Sequence, residues 1–215
     1  MASARLIDIT NDAENRMVYC ARVSNPSNQS NYESGGRLLK YCLDNRHWSV
    51  FEMAYATVEV VTERDISAQI LRHRSFCFQE FSTRYAKTDK ASTFEIRRQD
   101  SKNRQSSHND LPDELVEKYQ KRCEAVIDEA WALYEDMLND GIARETARRV
   151  LPLATPTTFY MSGNVRSWIH YIDLRTQPGT QKEHRDVALA IRDVLAPSLP
   201  TIAEVLGWET NGTTE

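Results

Sequence analysis

Residues 72 to 85, Arg72-His73-Arg74-Ser75-Phe76-Cys77-Phe78-Gln79-Glu80-Phe81-Ser82-Thr83-Arg84-Tyr85, interleave three arginines, a histidine and a carboxylate with four aromatic rings. A packed core has no use for three permanently charged guanidinium groups, and a solvated face has none for Phe76, Phe78, Phe81 and Tyr85. The mixture suits a pocket that grips something flat and anionic, a nucleotide or a flavin. Cys77 lies between basic residues that could lower its pKa and make it a nucleophile, although a free cysteine is more often inert packing. No base is spaced to activate Ser82 locally as a nucleophile.

Other basic residues gather around this stretch. Arg64, Arg97 and Arg98 flank it, and Arg144, Arg148 and Arg149 form a second group, in a chain whose formal net charge is -4. That balance argues against a protein that coats nucleic acid, because such domains carry a marked basic excess. Local positive charge on an acidic chain points instead to small anionic ligands. There is no G-x-G-x-x-G, no Walker lysine loop and no G-x-S-x-G elbow. His47, His73, His108, His170 and His184 lack the local spacing that gathers metal ligands, so no metal site is expected. Cys20, Cys42, Cys77 and Cys123 form no C-x-x-C pair, and Met1 to Arg5 lead into no long apolar run. These features imply a cytoplasmic protein with reduced thiols, two of them packed as small hydrophobes, and no membrane span.

The elements that must position these residues follow from periodicity. With 215 residues, 40% of them hydrophobic, the chain can bury one sizeable core, and one domain is expected. Leu6 to Ile9 reads as a strand, and Asn11 with Glu14 as a capping box opening a helix through Arg22. Val23 to Gly36 is a polar loop, followed by a helix to Asn45 with Leu38, Leu39, Tyr41 and Cys42 inward. Residues 54 to 61 alternate as a strand. Thr62 is placed to cap a helix from Glu63 to about Arg74, on which Gln69, Arg72 and His73 share a face. Thr93 to Arg97 reads as a strand and Asp100 to Asp110 as a mobile polar stretch. Leu115, Tyr119, Cys123, Val126, Ala130, Leu133 and Met137 mark the core stripe of a long helix ending before Gly141. A short helix over Ile142 to Leu151 carries Arg144 and Arg148 one turn apart and stops at Pro152. Thr157 to Met161 is a strand broken by Gly163-Asn164, and Asn164 caps a helix to Arg175 that buries Val165, Trp168, Ile169 and Ile172. Arg166, His170 and Asp173 lie on its other face. Helices over Gln181 to Leu195 and up to Leu206 follow, so that residues 1 to 206 form the domain and 207 to 215 a flexible tail.

The spacing from Arg72-His73-Arg74 to Ser82 and Arg84 resembles the R-H-R-x-x-S-x-x-x-x-S-x-R signature of the flavin-dependent thymidylate synthases. That family usually has Ser at the position of Cys77, Asn at that of Gln79 and Asn at that of His170. The likeness extends to Ala21-Arg22-Val23-Ser24, to His47-Trp48-Ser49-Val50-Phe51-Glu52, to Arg148-Arg149-Val150-Leu151-Pro152-Leu153, and to Asn164-Val165-Arg166-Ser167 through Asp173-Leu174-Arg175. Several ordered motifs agreeing are far more specific than one short pattern.

The resemblance implies an α+β fold, a small antiparallel sheet flanked by helices, assembled as a homotetramer with active sites at subunit interfaces. It implies reductive methylation of dUMP to dTMP, with methylenetetrahydrofolate as carbon donor and hydride from FAD that NADPH has reduced. By resemblance, Gln69, Arg72, Glu80, Phe81, Ser82, Thr83, Arg84, Arg148 and Arg175 bind dUMP, with Arg84 and Arg148 on the phosphate. Arg175 would stabilise negative charge on the uracil ring, its structural alternative being a favourable cation at a helix C-terminus. Ser24, His47, Ser49, Arg72, His73, Arg74, Glu80, Asn164, Arg166 and His170 are the residues implied for FAD. A rival of another class is a non-catalytic nucleotide- or single-strand-binding module that clamps phosphates with arginine and stacks bases on aromatic rings.

Overall fold

The computed structural model describes residues 2 to 208. A four-stranded antiparallel sheet is built from β1 (Ser3–Ile9), β2 (Tyr55–Glu63), β3 (Cys77–Glu80) and β6 (Pro156–Asn164), in the order β1-β2-β6-β3. The central pair is fully matched over nine positions, from Tyr55 opposite Asn164 to Glu63 opposite Pro156. β4 (Arg98–Gln99) and β5 (Ser107–His108) form a separate two-stranded hairpin. The helices are α1 (Ala13–Ala21), α2 (Gly35–Asp44), α3 (Arg64–Ile70), α4 (Asp113–Asn139), α5 (Arg144–Ala147), α6 (Val165–Arg175), α7 (Lys182–Leu195) and α8 (Pro200–Leu206). The α+β expectation, one domain with a small antiparallel sheet, holds.

Strand alternation decides which sheet face is covered. Ala56, Val58 and Val60 of β2 and Phe159 and Met161 of β6 are buried against Trp168 and Ile172 of α6, Val187 and Ile191 of α7, and Ile66 and Ile70 of α3. Trp168, fully buried, donates its indole N–H to the carbonyls of Ala56 and Gly163, so its one polar atom is satisfied. Gly163 stays within β6 instead of breaking it, paired with Ala56 of β2, and Phe76 packs where a side chain at that position would stand. A Cβ at Gly163 would stand 2.5 Å from Phe76 Cδ1. Asn164 caps α6 as expected, its side-chain oxygen accepting from the Ser167 N–H at 2.9 Å.

Several local expectations change. The α1 N-cap is Asp12, in the left-handed region at φ 52°, with no side-chain cap bond. Glu14 instead accepts from the Ile202 N–H at the start of α8. Buried Arg22 pins the following loop by donating to Ser34 Oγ and the Asn28 carbonyl. Tyr41 is 55% exposed, since Leu43 takes the inward position beside Cys42. Thr62 belongs to β2, whose pairing with β6 runs on to Glu63, and α3 ends at Ile70. The stretch expected to be mobile is the β4–β5 hairpin, tied by Arg98 to Asp110 and by Asp100 to His108. Cys42 is buried, Cys20 and Cys123 are half-buried, and Cys77 is exposed on the sheet's outer face.

The largest correction concerns α4. Its stripe is not core: among its residues Ile127 and Tyr134 are buried, whereas Tyr119, Val126 and Leu133 stand exposed, Val126 by 66%. The helix packs chiefly through its C-terminal part, against α5 and the short turn Arg148–Val150. Of the expected tail, Gly207 ends α8 with φ 63° and Trp208 is buried in the core, so no tail begins before residue 209. Residues 209 to 215 lie outside the described residues.

Candidate active site

The turn after α3 delivers the first group of side chains. The N–H of Arg72 bonds back to the Gln69 carbonyl, that of His73 to Ile70 and that of Phe76 to His73. Phe76 anchors the turn, its ring centroid 4.6 Å from that of Trp168. The expected continuous helix is therefore replaced by a pinned turn. It still brings Gln69, Arg72 and His73 to one cavity of about 870 Å³, where Arg175 joins them from the end of α6.

Arg175 donates from Nε to His73 Nε2 at 3.0 Å, which requires an unprotonated Nε2. Burial, with the charges of Arg175 and His170 nearby, pushes His73 down to about 4 and keeps it neutral. The bond uses only Nε, so the flat Nη edge remains for a ligand. The cavity is closed on one side by Arg97, Gln99 and Arg104 around the β4–β5 hairpin. Nothing in the sequence assigns those residues to the site beyond the basic cluster around Arg97.

A second group lies toward the other end of α3. Glu80 Oε1 accepts from Ser67 Oγ at 2.7 Å and from Thr157 Oγ1 at 3.1 Å. Phe81 continues the strand, its N–H bonding the Thr158 carbonyl, and Ser82 Oγ accepts from the Arg84 N–H. Arg148 donates to the buried Thr83 hydroxyl at 3.3 Å, and exposed Arg84 pairs with Glu145 at 3.2 Å. Thr83 and Arg148 line a hollow of about 190 Å³ with Arg64. Arg64 opens α3 and Gln69 nearly closes it, so the two groups are separated by about 8 Å of helix axis. The two hollows share no lining residue.

A third set faces a further cavity of about 870 Å³ between α6 and the turn Trp48–Glu52. Ser75, Asn164, Arg166 and His170 line it, with Trp208 as an unexpected wall. Arg166 forms an ion pair with Glu52. This volume is of the size that holds a cofactor, and a guanidinium, an imidazole and hydroxyls are the donors a dinucleotide needs. The residues therefore fit a flavin. Gln177 lines both large cavities, which meet at the end of α6. Ser24, His47, Ser49 and Arg74 are exposed and line neither of them. Cys77 lines neither, and Tyr85 is 85% exposed.

Fold and cavities together define a small α+β protein built to hold nucleotides, with arginine as the chief donor. The family model for thymidylate synthase complementing proteins matches residues 5 to 201. A probable flavin-dependent thymidylate synthase of Paramecium bursaria Chlorella virus 1 is 48% identical, over 96% of this chain and 99% of that protein. A flavin-dependent thymidylate synthase of Synechocystis is also 48% identical, over 91% of this chain and 90% of its own. Among solved structures, a UMP/dUMP methylase from Streptomyces cacaoi bound with 5-Br dUMP superposes with a TM-score of 0.81 at 27% identity, covering 96% of this chain and 95% of the other. The chain belongs to the flavin-dependent thymidylate synthase family.

Proposed function

We propose that this chain methylates dUMP to dTMP, taking carbon from methylenetetrahydrofolate and using FAD that NADPH reduces. The observation that carries the reading is the Arg175–His73 pair beside Gln69 and Arg72, in a cavity that abuts the flavin-sized one. When bound, the flavin supplies the hydride. The chain's own residues bind and orient. Arg175, held by neutral His73, offers a fixed cation to negative charge developing on the pyrimidine ring. Arg84 and Arg148, with Ser82 and Thr83, hold the phosphate, and Glu80 and Phe81 shape the same site. Asn164, Arg166 and His170 hold the dinucleotide, Arg72 and His73 face it from the adjoining cavity, and Ser24, His47, Ser49 and Arg74, which line neither cavity of one chain, contribute across the junction between copies.

The site is completed by a second copy, in a homotetramer. Two observations support this. The base-end and phosphate-end groups occupy separate hollows of one chain. The α4 stripe, Tyr119, Cys123, Val126, Ala130, Leu133 and Met137, alternates steps of four and three; Tyr119, Val126 and Leu133 are exposed and the other three only half-buried. Such a seam is the pattern by which helices of identical chains pack.

Purified protein supplied with FAD, NADPH, methylenetetrahydrofolate and dUMP is expected to form dTMP, and to lose that activity without FAD. A protein that forms no dTMP but binds oligonucleotides with a steep salt dependence contradicts the reading and supports a nucleic-acid-binding module.

A further inference from the structure

Gln69 is bound at both ends of its amide. Its Nε2 donates to Gln181 Oε1 at 2.7 Å, and its Oε1 faces His184 Nδ1 at 3.4 Å. Beyond Gln181 the chain of bonds runs to Glu183, which accepts from Gln181 Nε2 at 3.0 Å and pairs with Arg97. Beyond His184 it runs to Tyr171, whose hydroxyl lies 3.1 Å from Nε2. The two ends set the direction. A carboxylate such as Glu183 only accepts, so Gln181 must turn its NH2 toward it and its oxygen toward Gln69. At the other end, burial raises the Tyr171 phenol, which stays protonated and donates to His184 Nε2. That leaves His184 with its proton on Nδ1, aimed at Gln69. Burial, helped by the charge of Arg175, pushes His184 down to about 3, so this fully buried ring is neutral. Every bond in the row then has a single consistent sense, from Tyr171 through His184, Gln69 and Gln181 to Glu183.

We propose that His184 is a positioning residue: it locks the Gln69 amide in one orientation, and the locked amide makes the cavity select a uracil over a cytosine ring. The inference rests on placing Gln69 and Arg175 at the base end of the nucleotide site. With one lone pair and one N–H of Gln69 committed, one of each remains for a ligand. A uracil edge presents the N3–H donor beside carbonyl acceptors, whereas cytosine presents an N3 acceptor beside an amino donor. An amide in a fixed orientation complements one pattern only, and a freely flipping one complements both. A site built to hydrogen-bond one pattern leaves buried groups unpaired against the other, the strongest source of discrimination available to it.

The test is the ratio of dUMP to dCMP affinity, measured by isothermal titration on the full-length protein. His184→Phe and Gln181→Met are each expected to lower that ratio at least about tenfold. His184→Asn, whose side-chain NH2 falls near the position of Nδ1, is expected to stay within about threefold of wild type. In a Gln69→Ala background, His184→Phe is expected to change the ratio no further. An unchanged ratio in folded His184→Phe overturns the proposal and leaves His184 as packing. Should that variant not fold, Gln181→Met, at a half-buried site, decides alone: an unchanged ratio there overturns the lock. Wild-type protein that binds neither nucleotide removes the site assignment itself, and the proposal with it.

Discussion

His73 sits between Arg175 and the cavity that Gln69 and Arg72 line, and its neighbours determine its charge. A protonated imidazole could not accept from Arg175 Nε, and would set a like charge against the guanidinium. Neutral His73 thus serves Arg175 as an acceptor, in the same motif that the sequence associates with flavin. His73 and His184 both lie below the ordinary value of 6.5, at about 4 and about 3. Between pH 6.5 and about 4 the unfolded chain therefore binds protons on these rings that the native protein refuses. Native stability must rise with pH across that window and fall as the solution is acidified. Urea midpoints are expected to drop from pH 7 to pH 5, and to drop less steeply in His184→Asn. Equal slopes in the two proteins would contradict the burial of a neutral His184. The dense stretch from Arg72 to Tyr85 was legible as a ligand grip because its residue types conflict with both core and surface. The row from Tyr171 to Glu183 was not, because Gln69 and His184 lie 115 positions apart and no local spacing joins them.

At the scale of elements, β6 and the turn before β3 depend on one another. Phe76 occupies the space that a side chain on Gly163 would need. Gly163→Ala is expected to cost about 1–3 kcal/mol, read as a lower urea midpoint, because neither the ring nor the strand can move far in a packed core. Adding Phe76→Leu should recover part of the loss, as contacting residues couple. Recovery absent from the double variant would locate the cost elsewhere. From sequence this glycine read as a strand break, since Gly-Asn usually punctuates. Alternation and helical periodicity did reveal β2, α6 and α7, whose patterns are set by one continuous core. They misled at α4, where the periodicity is genuine but half of the stripe stands exposed on the chain itself. A hydrophobic stripe reports that a face is covered, not what covers it.

At the scale of the whole molecule, the proposed site is shared between copies of the chain. One chain supplies Gln69, Arg72 and Arg175 to one hollow, and Thr83 and Arg148 to another, with Arg84 paired to Glu145 of α5. It also leaves Tyr119, Val126 and Leu133 of the α4 seam exposed. Shared cavities at subunit junctions would supply wall area that 215 residues lack for FAD, dUMP and folate together. The direct test is complementation between Arg84→Ala and Arg175→Ala, each expected to form little dTMP alone. When the two chains are co-expressed and assemble at random, each junction with Arg175 from one chain and Arg84 from its neighbour is intact in roughly a quarter of cases. Recovery of about that fraction of wild-type dTMP formation is the predicted result; mixed assemblies as inactive as either variant alone would contradict a site shared between chains.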